Sequence, residues 1–237
     1  MEGLTLEPQG SVLLVTIDRP PSNAFSAAMM EGLTSAIVAA AGDGETRFVR
    51  IRSNGAEFCL GRDRGGQKIE ELRAEGSRIV EVGEACRTAP VVVVAEVQGD
   101  AAGFGVGLIA AADVAVTADD AEFWFPEILG GLAPTIVMSW LAADIGHKAA
   151  FDLVSTGRKF TAAEAAGFGI VTEAVSANSL GQRVDERLEA LSEMSPAALR
   201  DIKAFLARVR SLDPAAAAQA SIDPLVAGAL RNAHDNL

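Results

Sequence analysis

Tyrosine is absent from the 237 residues, and there are only two cysteines and two histidines. His147 and His234 are too few and too scattered for a Ser-His-Asp triad or a zinc site. Cys59 and Cys86 give neither a disulfide framework nor a metal-ligand set. Cys59 has no basic or histidine neighbour in sequence to activate its thiol, and reads as a small buried residue. Cations are also scarce: 20 Lys plus Arg against 32 Asp plus Glu gives a net charge of −12. An acidic surface repels phosphate backbones, so nucleic acid is excluded as a general partner. An anionic small molecule would need a local cationic patch or helix N-termini. The longest uncharged apolar run, Ala101 to Ala112, falls short of the roughly 20 residues a membrane span needs, and no basic-then-apolar leader opens the chain. These absences lead us to expect a reduced, cytoplasmic protein with no membrane, metal or nucleic-acid partner.

Hydrophobic residues make up 49% and charged residues 22%, the balance of a globular chain. Ser11 to Ile17 is rich in β-branched residues and stops at Asp18-Arg-Pro-Pro21, a strand followed by a loop. Ser26 to Ala41 carries Met29, Met30, Leu33, Ile37 and Val38 at helical spacing, with Ser26 as N-cap. Phe48 to Arg52 alternates as a strand. Gly65 to Arg87 is charged with an apolar stripe, a surface helix. Val91 to Val97 is almost continuously apolar, as strands covered on both faces are. Asp113 to Thr117 and Ile170 to Val175 read as short strands. Helical patterns cover Pro134–Ala143, His147–Ser155, Thr161–Phe168, Leu180–Met194, Pro196–Leu212 and the alanine-rich stretch after Pro214. Strands alternate with helices for three quarters of the chain and the remainder is helical, which predicts an α/β core with a helical C-terminal layer.

Three loops place glycine where strands hand over to helices: Glu57–Asp63, Gln98–Gly107 and Phe125–Gly131. Glycine lets backbone N–H groups approach a ligand closely, and two such groups on one oxygen stabilise an enolate or a tetrahedral intermediate. From spacing alone, plain turns explain these glycines at least as well. Gly103-Phe-Gly-Val-Gly107 is not a dinucleotide loop, because the fingerprint's third glycine falls on Leu108 and no acidic residue follows at the required strand end.

The chain resembles the crotonase superfamily, the enoyl-CoA hydratase/isomerase group. The matching pieces are Ile17-Asp-Arg-Pro20 with Asn23-Ala24, Phe58–Asp63, Val97-Gln-Gly99 with Gly103-Phe-Gly105, Asp113, Phe125-Pro-Glu-Ile-Leu129, Gly146, Thr156-Gly157 and Ala163–Val171, in order over about residues 5 to 175. The resemblance implies a ClpP/crotonase-like spiral of ββα units over residues 1–190. It also implies a C-terminal helical region over 191–237 that builds a homotrimer or a dimer of trimers. The implied substrate is an acyl-CoA thioester, with coenzyme A entering only as part of it and no separate cofactor. By the same resemblance the thioester oxygen sits between the backbone N–H groups of Arg62 and Phe104. Ser22, Ala24, Leu60, Arg62, Asp63, Gly103, Phe104, Pro126 and Gly130 then contact substrate or coenzyme A, and Glu127 is the acid/base. A lone glutamate after proline is usually a cap or a surface group, and it is the resemblance that makes Glu127 catalytic.

One departure shapes the chemistry. Hydratases of the group carry a second glutamate four residues after the first glycine of the turn, and that position here is Gly107. Adding water to an enoyl double bond is easiest with two carboxylates, whereas moving the double bond needs one acid/base. Isomerisation is therefore favoured over hydration. Thioester hydrolysis, other chemistry on the same scaffold, or an inactive CoA-binding protein are the alternatives, since a fold does not dictate a reaction. Asp119, Asp120 and Glu122 read as a solvated turn, with one of them as a substitute second acid. Phe104 and Arg62 are bulkier than the group's usual residues, which counts against ordinary straight-chain substrates. The chain ends Arg231–Leu237 with no aromatic residue and no lysine, so Arg62, Arg64 or Lys68 is expected to replace the usual basic tail at the nucleotide end.

Overall fold

The computed structural model describes residues 2–235. In chain order the elements are β1 (Leu4–Gln9), β2 (Val12–Ile17), α1 (Ala27–Gly42), β3 (Phe48–Ser53), α2 (Ile69–Thr88), β4 (Val92–Val97), β5 (Ala101–Ala102) and α3 (Phe104–Ala111). They continue with β6 (Val114–Ala118), β7 (Glu122–Trp124), a 3₁₀ turn at Pro126–Gly130, α4 (Thr135–Ile145), α5 (His147–Thr156), β8 (Phe160–Thr161), α6 (Ala162–Phe168) and β9 (Glu173–Val175). Four helices close the described chain: α7 (Leu180–Ser192), α8 (Pro196–Val209), α9 (Pro214–Ala220) and α10 (Ile222–Asp235).

A six-stranded sheet runs in the order β1-β2-β3-β4-β6-β9, and a small second sheet in the order β5-β7-β8. β1 and β2 are antiparallel, and the large sheet is parallel from β2 onward. Side chains alternate across a strand, and β3 shows the result. Val49 and Ile51 belong to the main core with α1 and α2, while Phe48 belongs to a second core formed with Leu180, Val184 and Leu188 of α7. β4 serves both cores, Val93 and Ala95 on one side and Val94 on the other, which is why its sequence is apolar without alternation. Phe25, Phe58, Phe123, Phe125 and Phe160 fill the main core with no exposure, each contributing about 1.5–3 kcal/mol of burial.

Ser26 caps α1, its Oγ accepting from Met29 N at 3.2 Å. α2 begins at Ile69, four residues later than the sequence pattern suggests. The N–H groups of Gly65 and Gly66 bond to Glu75, and those of Gln67 and Lys68 to Glu71, so this stretch is an anchored loop. β1 has no apolar alternation, only Leu4 being buried, and it exists because β2 offers an edge. α10 carries the chain through Asp235, so His234 lies in a helix. Asn236 and Leu237, part of the tail discussed above, lie outside the described residues. Among the described residues no helix is long and apolar enough to cross a membrane.

Candidate active site

Asn23 organises the rim of the site. It is buried with φ 51°, a left-handed conformation that asparagine tolerates. Its Oδ1 accepts from Arg19 N at 2.8 Å, and its Nδ2 donates to the carbonyls of Asn54 (2.8 Å) and Glu57 (2.7 Å). Gln98 Nε2 donates to the same Glu57 carbonyl at 3.1 Å. The loops leaving β2, β3 and β4 are thereby tied together. Leu60 N then bonds to Ser22 O (2.9 Å), Phe25 N to Gly61 O (3.0 Å) and Asp63 N to Phe25 O (2.9 Å). Ser22, Ala24, Leu60, Arg62 and Asp63 thus lie along one paired stretch.

The glycine-rich turn packs directly behind that stretch. Phe58 N donates to Asp100 O at 3.0 Å and Ala102 N to Cys59 O at 2.9 Å. β-Carbons at Gly99 and Gly105 would collide with the carbonyls of Ala56 and Cys59, so both positions must be glycine for the loops to close. Gly61 (φ 123°) and Gly103 (φ 52°) turn the backbone just before Arg62 and Phe104. Among the described residues the N–H groups of Arg62 and Phe104 have no internal acceptor. That of Phe104 opens α3, at the positive end of the helix.

Glu127 stands on the 3₁₀ turn after β7, and the end of β7 is fastened to the glycine loop by Gly103 N to Trp124 O at 3.0 Å. Its carboxylate lies on Gly103, where a β-carbon would overlap Oε1. The side chain is 15% exposed, and Oε2 is buried with no hydrogen-bond partner among the described residues. Glu127 borders a cavity of about 160 Å³ together with Arg62, Arg64, Phe104, Leu132 and Val137. A cavity of about 510 Å³ lies elsewhere, under α8; two of its cations, Arg47 and Lys203, already bond backbone carbonyls.

The two bulky residues line the cavity and are held by their neighbours. The Phe104 ring packs on Phe25 with centroids 5.1 Å apart. The Arg62 guanidinium bonds Glu75 at 2.9 Å and Asp63 O at 3.0 Å. Burial alone would raise the Glu75 carboxyl, but the N–H groups of Gly66 and Gly65 and the Arg62 cation outweigh it and hold the group below its ordinary value. Arg62 is therefore not a free cation for the nucleotide end, and Arg64 stands beside Glu127, its Nη2 3.9 Å from Oε1. Asp63 pairs with Arg19 at 2.9 Å. Pro126 starts the 3₁₀ turn, while Gly130 is exposed at its end and does not line the cavity.

The substitute acids do not reach the site. Asp119 and Asp120 are exposed, and Glu122 pairs with Lys159 at 2.5 Å. Gly107 faces Val137: a β-carbon there would come within 2.6 Å of Val137 Cγ2. The steric constraint at 107 comes from α4 and not from Phe104 within the same helix, as helical spacing alone suggests. Sequence reasoning missed the α4 wall of the cavity, because nothing in the pattern of Thr135–Ile145 says which element it faces.

A mainly parallel sheet joined to a small second sheet, with Arg62, Phe104 and a half-buried glutamate lining one cavity, defines an α/β scaffold of the crotonase type. The enoyl-CoA hydratase/isomerase family model matches residues 7–233, and the chain belongs to that family. The structure superposes on an enoyl-CoA hydratase from Mycobacterium smegmatis with TM-score 0.91 and 28% identity, covering 95% of this chain and 90% of that one. A probable enoyl-CoA hydratase of Mycobacterium bovis is 31% identical over 83% of this chain and 79% of its own length. A probable enoyl-CoA hydratase of Rhodobacter capsulatus is 36% identical over 68% of this chain, and the match spans 64% of that relative.

Proposed function

We propose that this chain isomerises the double bond of an enoyl-CoA thioester, with Glu127 as the single acid/base. The thioester oxygen is held by the N–H groups of Arg62 and Phe104. Glu127 removes a proton from C2 of a 3-enoyl-CoA, the N–H pair stabilises the resulting dienolate, and Glu127 returns the proton at C4. The observation that carries this reading is the pairing of a half-buried, unbonded Glu127 Oε2 with glycine at 107, so that the cavity holds one carboxylate. Coenzyme A enters as part of the substrate, and the rim from Ser22 to Asp63 contacts it. The working unit is a homotrimer or a pair of trimers.

Glu127→Gln tests the reading. It keeps size and shape but cannot take a proton. Binding of an acyl-CoA should stay within a few-fold of the parent, while turnover falls by about 10²–10⁴-fold, the usual contribution of a positioned acid/base. Absorbance of the conjugated thioester follows both 3-enoyl and 2-enoyl substrates. Full retention of activity in Glu127→Gln removes Glu127 from the chemistry.

A further inference from the structure

Among the described residues, charge pairing around the cavity leaves one cation, Arg64, in only a loose pair with Glu127. Asp63 is paired with Arg19 and Glu75 with Arg62, both at 2.9 Å. Arg64 lines the same cavity as Glu127, is 49% exposed, and makes no hydrogen bond among the described residues. Its nearest acid is Glu127, at a separation too long for a hydrogen bond. A guanidinium has five N–H donors in a fixed fork, so this one keeps most of its donors for another group. The opposite wall, Leu132, Pro134, Ile136 and Val137, is apolar. The cavity of about 160 Å³ has room beside that wall for the first carbons of an acyl chain.

We propose that Arg64 selects a substrate whose short acyl chain ends in a carboxylate, so that the preferred ligand is a dicarboxylic acid mono-thioester of coenzyme A. The chain carbons lie on the apolar α4 wall. The distal carboxylate takes the edge of the Arg64 guanidinium turned from Glu127, and the cation then bridges the two acids. This rests on the acyl-CoA reading above and narrows its substrate class. A neutral chain of equal length would leave the cation with only its loose pair in a partly closed cavity, which is how a polar site rejects an analogue lacking its partner group.

The test is binding, so that it does not depend on turnover. Glutaryl-CoA and pentanoyl-CoA have equal chain length and differ in a terminal carboxylate against a methyl. Calorimetry on the parent should show glutaryl-CoA binding tighter by about 10-fold or more, between the values for rim and buried charge pairs. Arg64→Ala should abolish that ratio and Arg64→Lys should keep part of it. Circular dichroism confirms that each variant is folded. Equal affinities in the parent, or a preference surviving in Arg64→Ala, overturns the proposal. If the preference appears but no enoyl-CoA is turned over, the isomerase reading fails and this one stands. If turnover is seen without the preference, the reverse holds. Binding of neither ester removes both.

Discussion

At Gly107 a glutamate has to displace Val137, because α3 and α4 touch there: Trp140 Nε1 also donates to Gly107 O at 3.2 Å. Overpacking of this kind costs about 1–3 kcal/mol. Gly107→Glu alone should therefore lower the thermal midpoint in scanning calorimetry. Gly107→Glu with Val137→Ala should recover most of the loss. The double variant should also raise hydration of a 2-enoyl-CoA relative to isomerisation, since position 107 points at a wall of the Glu127 cavity. A double variant no more stable than the single one would place the obstruction elsewhere. The cysteines give a second check at this scale. Burial pushes the Cys59 and Cys86 thiols up to about 12, so thiolate is scarce at neutral pH. Neither should react with iodoacetamide until the chain unfolds, and prompt alkylation of the native protein would contradict the burial. That Glu127, Arg62 and Phe104 belong together comes from the resemblance and not from spacing, and the three do line one cavity. The position of Arg64 is not legible in the sequence, since which cation meets which acid is settled by loops brought together in three dimensions.

Among the elements, α8 is held by one buried ion. Lys203 Nζ donates to Cys86 O (2.6 Å), Val91 O (2.7 Å) and Asp113 Oδ2 (2.6 Å), joining α8 to the end of α2 and the starts of β4 and β6. Lys203→Met strands two carbonyls and leaves Asp113, whose side chain is 27% exposed, without its cation; losing such a charged hydrogen bond costs about 1.5–3 kcal/mol. Burial pushes the Asp113 carboxyl above its ordinary value, and Lys203 opposes that rise. Without the lysine the carboxyl rises further. The native variant then holds a proton that the unfolded chain has lost, and stability relative to the parent falls as pH increases through that window. The deficit in urea unfolding should be larger near pH ~8 than near pH ~5, and an equal deficit at both would show that Asp113 does not titrate there. This anchor illustrates what the sequence withholds. The helix of Pro196 onward is plain from its periodicity, but the partner of Lys203 lies 90 residues earlier. The same division holds for strands. β3 and β4 announce themselves by apolar β-branched runs, whereas β1, β7 and β8 form because a neighbouring strand offers hydrogen bonds to otherwise unremarkable residues.

For the molecule as a whole, α8 and α10 leave several large aliphatic side chains exposed. Ile202, Leu206, Val226 and Ile222 are roughly half exposed, Leu225 is 74% exposed and Leu230 60%. Single exposed aliphatics are common, whereas a set spread over α8 and α10 is what an interaction surface needs; a net charge of −12 opposes self-association, so apolar contact would have to outweigh that repulsion. The surface is continuous with the layer that Lys203 locks to the core, so a partner docking on it would meet a rigid platform. Sedimentation equilibrium at micromolar concentration should give three or six times the 24.5 kDa chain mass. Leu225→Glu with Leu230→Glu should shift the distribution toward the single chain, because charges placed in a closed interface are desolvated without partners. The fold of each subunit should survive, since neither leucine contributes to the buried core. A parent protein that sediments only as a monomer would mean that these leucines face water in solution. The helical quarter would then serve the α2–β4 side of its own subunit alone.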